Sequence, residues 1–221
     1  MAEERKQRSV ISKQAMHRMP FYLQCLKKLS AEGVTNVSAP VVAEMLKLNE
    51  VQVRKDFAAV SRTGGKAKVG FSVAELLDSM ERTLGYRNMD EAVLVGAGSL
   101  GRALASFRGF EEYGLRIVAA FDVDRSLVGR KLGNAPVYHV DDLAAFCEEN
   151  DINLGIITVP VEHAQEACDA LVAGGVLGIW NFAPAYLRVP DNILLQNENM
   201  AASLALLSKH LREKFAEESE R

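Results

Sequence analysis

The sequence lacks the marks of an exported or membrane-embedded protein. Its longest apolar runs, such as Ala92–Val95 and Gly155–Val159, are far shorter than the roughly 20 residues of a membrane-spanning helix. The charged amino-terminal stretch is not followed by an apolar core, so a signal peptide is not predicted. These absences predict a cytoplasmic chain that has no membrane partner.

Cysteine is scarce as well. Cys25, Cys147 and Cys168 are an odd number of cysteines and have no CxxC spacing. That pattern argues against a disulfide framework and against a zinc site. We therefore expect three buried thiols on helices and no bound metal.

The charge that is present is unevenly distributed. The net charge is −3, yet residues 1–88 carry 15 Lys and Arg against 9 Asp and Glu, whereas residues 89–221 carry 11 against 20. Opposite charge in the two parts favours two modules, of which the basic one meets a polyanion. Chance drift of surface charge is the alternative, and charge alone does not decide between them.

Residues 1–88 have the pattern of a small helical domain. Helices are predicted over Ser12–Arg18, from Pro20 to about Ala31, over Ala39–Leu46 after the cap Ser38, and over Glu50–Val60 after the cap Asn49. Two short helices joined by three or four residues are typical of a helix-turn-helix. The basic, glycine-flanked stretch Thr63–Gly70 then suits a small hairpin, or wing, and Phe71–Leu84 suits a linker helix.

The second helix of this motif is suited to DNA recognition. Val53, Phe57 and Val60 share one face, and Lys55 lies near the centre of the opposite face. Cationic and amide side chains there can reach phosphates and base edges, whereas Asp56 is expected to pair with a basic group inside the protein. A solvated basic surface is the alternative interpretation. The predicted DNA-contacting residues are Ser38, Gln52, Arg54, Lys55, Arg62, Lys66 and Lys68.

Residues 89–197 alternate between strand and helix patterns, which predicts an α/β domain with a doubly wound parallel sheet of Rossmann type. The predicted strands are Ala92–Val95, Ile117–Phe121, Val137–His139, Leu154–Val159, Ile179–Phe182 and Ile193–Gln196, and the helices are Leu100–Phe107, Asp141–Glu149 and Val161–Ala173. A last helix is predicted over about Glu198–Phe215. It has an apolar stripe, which is expected to be buried against another surface. The stripe consists of Met200, Leu204, Leu207, Leu211 and Phe215.

A dinucleotide fingerprint follows the first of these strands. The segment Gly96–Gly101 reads GxGxxG between a strand and a helix, where glycines allow the turn, the approach of a pyrophosphate and close helix–strand packing. Asp122 follows 21 residues after Gly101, at the end of the next strand. A carboxylate there can bind ribose hydroxyls and repels a 2′-phosphate, which favours NADH and NAD+ over the phosphorylated forms. An ordinary strand–helix turn is the alternative.

Two further strand ends are candidates for the nicotinamide half of the pocket, because ligands of open α/β sheets lie beyond the carboxyl ends of the strands. These are Thr158–Pro160 and Asn181–Pro184, although their prolines could equally serve only to end the strands. The predicted cofactor-contacting residues are Gly96, Ala97, Gly98, Ser99, Leu100, Gly101, Asp122, Val123, Thr158, Val159, Pro160, His163, Asn181, Phe182, Ala183 and Pro184.

Catalytic features are missing. A dehydrogenase needs an acid or base beside the hydride path, but no YxxxK pair is present and no residues remain for a substrate domain. His163 is the best candidate, and cofactor contact or packing explains it better. The sequence thus favours a sensor over an enzyme. A small oxidoreductase with a basic domain and a CoA-binding module remain alternatives, and Asp122 counts against CoA.

Taken in order, several segments resemble the Rex family of redox-sensing transcriptional repressors over essentially the full length. They are Arg18–Pro20, Val51–Asp56, Val95–Gly101, Ala119–Asp124, Thr158–Pro160, Glu162–Ala164 and Asn181–Pro184. The resemblance implies a homodimer that binds a palindromic double-stranded operator and is released from it by NADH, whereas NAD+ permits binding. It also implies a winged-helix domain over 1–88, a Rossmann domain over 89–197 and a domain-swapped helix over 198–221.

The chain departs from the family pattern at two positions. Phe107 stands where members often have Tyr, and Asn199 stands where Asp is common. In the family these groups look like parts of a polar relay that reports the redox state. The resemblance therefore leaves NADH binding in place but predicts a weaker or rerouted switch. The wing Gly64–Lys68 is also atypical, so the preferred operator is expected to differ.

Overall fold

The structure, a computed structural model, describes residues 11–219, and the chain divides into two compact units between Asn88 and Met89. The charged amino terminus and the outermost limits of the predicted domains, residues 1 and 221, lie outside the described residues. Within that range the first unit consists of α1 (Lys13–Ala31), β1 (Asn36–Val37), α2 (Ala39–Leu46), α3 (Glu50–Val60), β2 (Phe71–Ser72) and α4 (Val73–Thr83).

The predicted helix break at Pro20 is wrong, because α1 runs through it. A proline inside a helix removes one backbone hydrogen bond and costs about 3 kcal/mol. Burial on both sides of the proline offsets this cost, since Ala15, Met19, Tyr22 and Leu26 are all buried along one face. Packing of a continuous apolar stripe thus overrides a local signal against helix.

The helix-turn-helix prediction is confirmed. The short turn Lys47–Asn49 joins α2 to α3, and Lys47 adopts the left-handed conformation at φ 54°. The Asn49 side chain accepts hydrogen bonds from the backbone N–H groups of Val51 and Gln52, at 2.9 and 3.2 Å, which caps α3 as expected. Ser38 occupies the cap position of α2, but its side chain makes no capping hydrogen bond.

The predicted wing is reduced to a single antiparallel bridge between Lys66 and Gly70. The strand after it, β2, pairs with β1 instead. Gly70 makes this pairing possible, because its φ is +85° and a Cβ there would lie 2.4 Å from the carbonyl oxygen of Val37. The linker helix α4 consequently begins at Val73 and not at Phe71.

The first unit has one hydrophobic core, to which α1, α3 and α4 all contribute. At its centre the ring of Phe57 meets the rings of Tyr22 and Phe71 edge-on, with centroids 5.3 and 5.4 Å away. Edge-to-face pairs of this kind add stabilisation beyond the area that they bury. The core therefore holds the inner face of α3 and leaves Arg54 and Lys55 exposed on its outer face.

The second unit alternates strands and helices, as predicted. In chain order it contains β3 (Asp90–Val95), α5 (Ser99–Ala105), α6 (Gly109–Glu112), β4 (Leu115–Asp122), β5 (Lys131–Leu132), β6 (Ala135–His139), α7 (Leu143–Glu149), β7 (Leu154–Ile157), α8 (Ala164–Ala173), β8 (Gly178–Asn181), β9 (Leu194–Asn197) and α9 (Met200–Ser219). Short 3₁₀ turns precede α7 and α8.

The sheet of the second unit has the strand order β5-β6-β4-β3-β7-β8-β9. Neighbouring strands are parallel except for β5, which pairs antiparallel with β6 at one edge, so the sheet is mixed and not wholly parallel. Alternate residues of β3 enter two cores: Val93 and Val95 face one, and Ala92 and Leu94 face the other. Burial of both faces explains why this strand is continuously apolar from Ala92 to Val95.

The strand order reverses between β3 and β7. The chain runs outward from β3 through β4 to β6, then returns to pair β7 with the other edge of β3. The crevice beyond the carboxyl ends of the strands at such a switch point is the usual ligand site of open α/β sheets. The predicted glycine turn follows β3 and the Thr158–Pro160 segment follows β7, so the topology brings both to this crevice.

Candidate functional site

The glycine turn after β3 has the geometry that the motif requires. Gly96 has a φ of +103°, which other residues rarely adopt. A Cβ at Gly101 would lie 2.0 Å from the carbonyl oxygen of Gly96, so only glycine lets α5 approach the turn this closely. A Cβ at Gly98, in contrast, would meet no protein atom within 4 Å. The open space at Gly98 is where a pyrophosphate can approach the backbone.

Thr158 ties this turn to β7. Its hydroxyl donates to the carbonyl oxygens of Gly96 and Val95, at 2.8 and 3.0 Å, and its backbone N–H donates to Val95 at 2.9 Å. The switch-point crevice is therefore held together by side chain as well as by backbone. The predicted role of Thr158 as a cofactor contact stays a prediction.

We expect Thr158→Val to lower NADH affinity about fivefold, since one shared hydrogen bond contributes about 1 kcal/mol and the glycine turn would be less ordered. Isothermal titration with NADH measures this change. Thr158→Ser is the control, because it keeps the hydroxyl, and we expect it to bind NADH like the original chain. Equal loss in the two variants would show that the hydroxyl is not what matters.

The carboxylate of Asp122 lies at the end of β4, as the fingerprint requires. Its Oδ2 atom accepts from the backbone N–H of Ala97 at 2.6 Å, and its Oδ1 atom accepts from the N–H of Asp124 at 2.9 Å. Each carboxylate oxygen can accept a second hydrogen bond. Asp122 thus shapes the glycine turn and still has acceptor capacity for ribose hydroxyls.

A cavity of about 610 Å³ opens beside this turn, within the usual range for small-ligand sites. Eight of the predicted residues line it: Gly96, Gly98, Asp122, Val123, Thr158, Val159, Pro160 and His163. Sequence reasoning missed the other lining residues, which are Val95, Phe121, Val140, Asp141, Ala144, Glu166, Ala167 and Ala170. The apolar ones have ordinary core spacing, so nothing in the sequence marked them as pocket walls.

The charged side chains that line the cavity are mainly acidic. Asp122, Asp141 and Glu166 contribute carboxylates, and the His163 imidazole lies 3.9 Å from Glu166. Arg125, near Asp141 at 3.7 Å, is largely exposed. A wall of this sign disfavours the additional phosphate of NADP(H), which supports the cofactor preference inferred from Asp122.

The remaining predicted cofactor residues are not among those that line the cavity. Ala97 is buried within the turn, and Ser99, Leu100 and Gly101 begin α5. Asn181 is fully buried, donating to the carbonyl oxygens of Ala183 and Ala185 and to the Oδ1 atom of Asn197. We interpret its side chain as the scaffold of the following loop. Contact of Phe182, Ala183 or Pro184 with a nicotinamide stays a prediction.

The predicted DNA-contacting residues lie on α3, at the start of α2 and in the loop between α3 and β2. Lys55 is exposed, and Arg54 is paired with Glu50 one turn earlier. Arg62 lies 3.3 Å from Asp78, and Lys66 and Lys68 are exposed in the turn before β2. Exposed ion pairs contribute little to stability, so these cations are available to phosphates at small cost. Ser38 is half-buried at the start of α2.

Asp56 lies on the inner side of α3 and is only 4% exposed. Arg18 donates to it through Nε at 2.8 Å and Nη2 at 3.1 Å, the Tyr22 hydroxyl at 2.7 Å and Gln52 Nε2 at 2.9 Å. The prediction that Asp56 pairs within the protein is confirmed. Arg18, Tyr22, Gln52 and Asp56 are called the Asp56 cluster below.

The Asp56 cluster makes the first unit sensitive to acid. Burial alone would raise the pKa of Asp56, but the hydrogen bonds from Arg18, Tyr22 and Gln52 outweigh it and hold the pKa below its ordinary value. The same burial, with the hydrogen bond to Asp56, raises the pKa of Tyr22 to about 12. A lowered carboxyl pKa stabilises the fold at neutral pH, and this contribution is lost as the pH falls below about 4.

We therefore expect the urea midpoint of the protein to fall as the pH is lowered through that range, and to fall less steeply in Asp56→Asn. Unfolding followed by circular dichroism at several pH values measures the slope. Glu44→Gln, an exposed acid on α2, is the control and is expected to keep the original slope. An unchanged slope in Asp56→Asn would contradict this assignment.

Residues 11–219 contain no metal-binding cluster of side chains and no membrane-spanning helix, and their thiols are buried. No three His, Cys, Asp or Glu side chains in that range gather closely enough to hold a metal ion, and no helix there is long and apolar enough to cross a bilayer. The three cysteines are free and buried, which confirms the predicted thiols. Burial raises the pKa of both Cys147 and Cys168 to about 11, so neither forms a reactive thiolate readily.

Two family models match parts of the chain. Residues 10–58 match "Putative DNA-binding protein N-terminus", and residues 87–185 match "CoA binding domain". The first range contains α1, α2 and most of α3, and the second contains the glycine turn and the cavity. The models therefore agree with the two modules that the charge distribution and the motifs predicted.

Curated relatives match the chain over nearly its whole length. The redox-sensing transcriptional repressor Rex of Bacteroides thetaiotaomicron is 38% identical, over 96% of this chain and 97% of its own. The Rex proteins of Treponema denticola and Carboxydothermus hydrogenoformans are 39% and 38% identical, over 87% and 91% of this chain and 91% and 97% of their own. The printed names of these relatives describe them as redox-sensing repressors of transcription.

Solved structures agree with this relationship. The Rex-family repressor RSP, in complex with β-NAD+ and operator DNA, superimposes with a TM-score of 0.85 at 30% identity, over 96% of this chain and 97% of RSP. RSP in complex with β-NADH gives a TM-score of 0.82 at 30% identity, over 96% and 100%. Both the fold and the predicted resemblance are confirmed, and the chain belongs to the Rex family of redox-sensing transcriptional repressors.

Proposed function

We propose that this chain represses transcription in the cytoplasm as a homodimer that binds palindromic operator DNA and releases it when NADH occupies the switch-point cavity. The observation that carries the proposal is the glycine turn held by Thr158 and Asp122 over that cavity. RSP, with the same fold, is described with β-NAD+, with β-NADH and with operator DNA. NADH and NAD+ are accordingly the proposed cofactors.

The last helix supports the homodimer. In α9 the side chains of Met200, Leu204, Leu207 and Leu211 are 45–65% exposed in the single chain. Their helical spacing makes a continuous apolar stripe, and large exposed apolar stripes mark interaction surfaces. We propose that residues 198–221 form a domain-swapped helix that packs against the partner subunit, as the resemblance implies. This exchange would bury the apolar stripe.

The two departures from the family pattern bear on the switch. Phe107 is half-exposed and packs edge-on against Phe110 at 5.0 Å, and it has no hydroxyl to donate. The Asn199 side chain accepts from the N–H of Ala202 at 2.9 Å, which caps α9. A cap of this kind has the same role for Asn and Asp, so Asn199 keeps the helix start while losing the charge. We propose a switch that does not use a Tyr–Asp hydrogen bond.

Titration of DNA-bound protein tests the function. A palindromic duplex selected from a randomised library is bound to the protein, and NADH or NAD+ is then added while fluorescence anisotropy reports the bound fraction. We expect NADH to release the duplex and NAD+ at the same concentration to leave it bound. A duplex that stays bound under saturating NADH would contradict the regulatory role, and a strictly monomeric protein in sedimentation would contradict the dimer.

CoA is the second candidate ligand, because residues 87–185 match a CoA-binding family. CoA carries a phosphate on its adenosine ribose, and the carboxylates of Asp122, Asp141 and Glu166 disfavour it on charge. Competition between CoA and NADH for the purified protein decides this point. We expect NADH to bind and CoA not to displace it, whereas preferential retention of CoA would favour the second candidate.

A further inference from the structure

We propose that the Asp56 cluster fixes the orientation of the Gln52 amide, so that α3 reads an adenine in the major groove through Gln52. The inference rests on the proposed operator binding and goes beyond it by assigning a base preference and a buried residue that sets it. Gln52 contacts DNA in this proposal, and Asp56 is a positioning residue that acts through it.

The carboxylate of Asp56 has no acceptor capacity left for any further group. Its Oδ2 atom accepts from Arg18 Nε and the Tyr22 hydroxyl, and its Oδ1 atom accepts from Arg18 Nη2 and Gln52 Nε2. Two carboxylate oxygens offer about four lone-pair sites, so these four donors saturate it. The Asp56 carboxylate is buried and paired with the Arg18 guanidinium through two hydrogen bonds. This pairing fixes the position of the carboxylate and favours its charged form.

This arrangement allows only one orientation of the Gln52 amide. An ionised carboxylate accepts hydrogen bonds and cannot donate them, so the amide must turn its nitrogen towards Asp56. A flip of the amide would set Oε1 against Oδ1 of Asp56, which lies 2.9 Å from the nitrogen. Gln52 therefore keeps Oε1, together with one remaining N–H, for a group outside the cluster.

The pattern that Gln52 presents is complementary to adenine. In the major groove adenine offers a donor at N6 and an acceptor at N7, which suit an amide oxygen and an amide N–H. Guanine offers two acceptors, O6 and N7, so Oε1 would face an acceptor there. Arg54 and Lys55 carry donors and no acceptor. Of these three residues on α3, Gln52 is the one suited to an exocyclic amine.

Selection from a randomised duplex library, followed by sequencing, tests this assignment on the full chain. The original protein is expected to enrich adenine at one position of each half-site. Gln52→Ala is expected to lose about tenfold in preference at that position. Asp56→Asn is expected to lose most of the same preference, because a side-chain amide at position 56 can donate as well as accept and no longer dictates how the Gln52 amide is oriented. In the Gln52→Ala background, Asp56→Asn is expected to change that preference no further.

Tyr22→Phe is the matched control. It removes one hydrogen bond from Asp56 but leaves the contact with Gln52 and the ion pair with Arg18, so the base preference is expected to stay while thermal stability falls. If Asp56→Asn does not fold, Gln52→Ala keeps the test decisive, since it removes only a half-buried amide.

Different failures have different meanings. An adenine preference that persists in Gln52→Ala would overturn the inference, as would an Asp56→Asn protein that binds more weakly but with unchanged base preferences. An original protein that enriches no duplex at all would overturn the proposed function itself.

Discussion

Gly98→Val is expected to lower NADH affinity roughly 100-fold and to leave a folded protein that still binds operator DNA. A valine there projects into the space that the pyrophosphate needs, yet its Cβ meets no protein atom within 4 Å. Steric overpacking costs about 1–3 kcal/mol, and the upper value, expected where the side chain fills the pyrophosphate position, lowers affinity roughly 100-fold. Isothermal titration with NADH and anisotropy with the selected duplex measure the two activities, and we expect the duplex to stay bound when NADH is added.

Two further substitutions show whether the effect is local. Ala103→Val adds the same bulk to an exposed position of α5 and is expected to bind NADH normally. Gly101→Ala places a Cβ 2.0 Å from the carbonyl oxygen of Gly96, so we expect it to disrupt the turn and to lower the unfolding temperature. If Gly98→Val lost DNA binding and thermal stability together with NADH binding, its effect would be misfolding and the site assignment would not hold.

Arg54→Ala is expected to weaken operator binding by roughly 1–3 kcal/mol for each half-site, which a dimer doubles, and to leave NADH affinity unchanged. Arg54 is 60% exposed, and its ion pair with Glu50 contributes little to the fold. The loss thus comes from the contact with DNA. Anisotropy over a series of salt concentrations measures both the affinity and the number of phosphate contacts, because each contact contributes about 0.9 to the salt slope.

Arg82→Ala is the matched control for this substitution. Arg82 is also an exposed arginine paired with an acid one turn earlier, Asp78, but it lies on α4. Arg82→Ala changes the net charge by the same amount as Arg54→Ala but leaves α3 unchanged. We therefore expect only a slight loss of operator affinity. An equal loss in the two variants would show that bulk charge binds the duplex and that α3 has no special role.

Much of the fold could be predicted because its signals are local. The amino-terminal cap of α3, the apolar face of α3 and the alternation of strands and helices in the second unit all arise from neighbouring residues. The glycine turn could be predicted for the same reason, since its three glycines and the following helix form one short segment. Where a local signal competed with tertiary packing, as at Pro20 in α1, the prediction was wrong.

Other features depend on residues that are distant in the chain. The wing was predicted from glycines and lysines, but β2 pairs with β1, more than 30 residues earlier, because Gly70 lets the backbones approach. Likewise β5 turns back on β6 at the edge of the sheet. Strand pairing joins segments that are distant in the chain, and the sequence of one segment does not specify which other segment it pairs with.

By itself the sequence determined the two modules, the glycine turn with Asp122 and the outward cations of α3, since each is specified by residue type and by spacing along the chain. Only the tertiary structure decided which of these groups form hydrogen bonds with one another. It assigned Thr158 and Asp122 to hold the turn from neighbouring strands, Asn181 to support a loop, and Asp56 to hold Gln52. Hydrogen-bond direction between distant side chains depends on ångström-scale geometry, and only the folded chain supplies it.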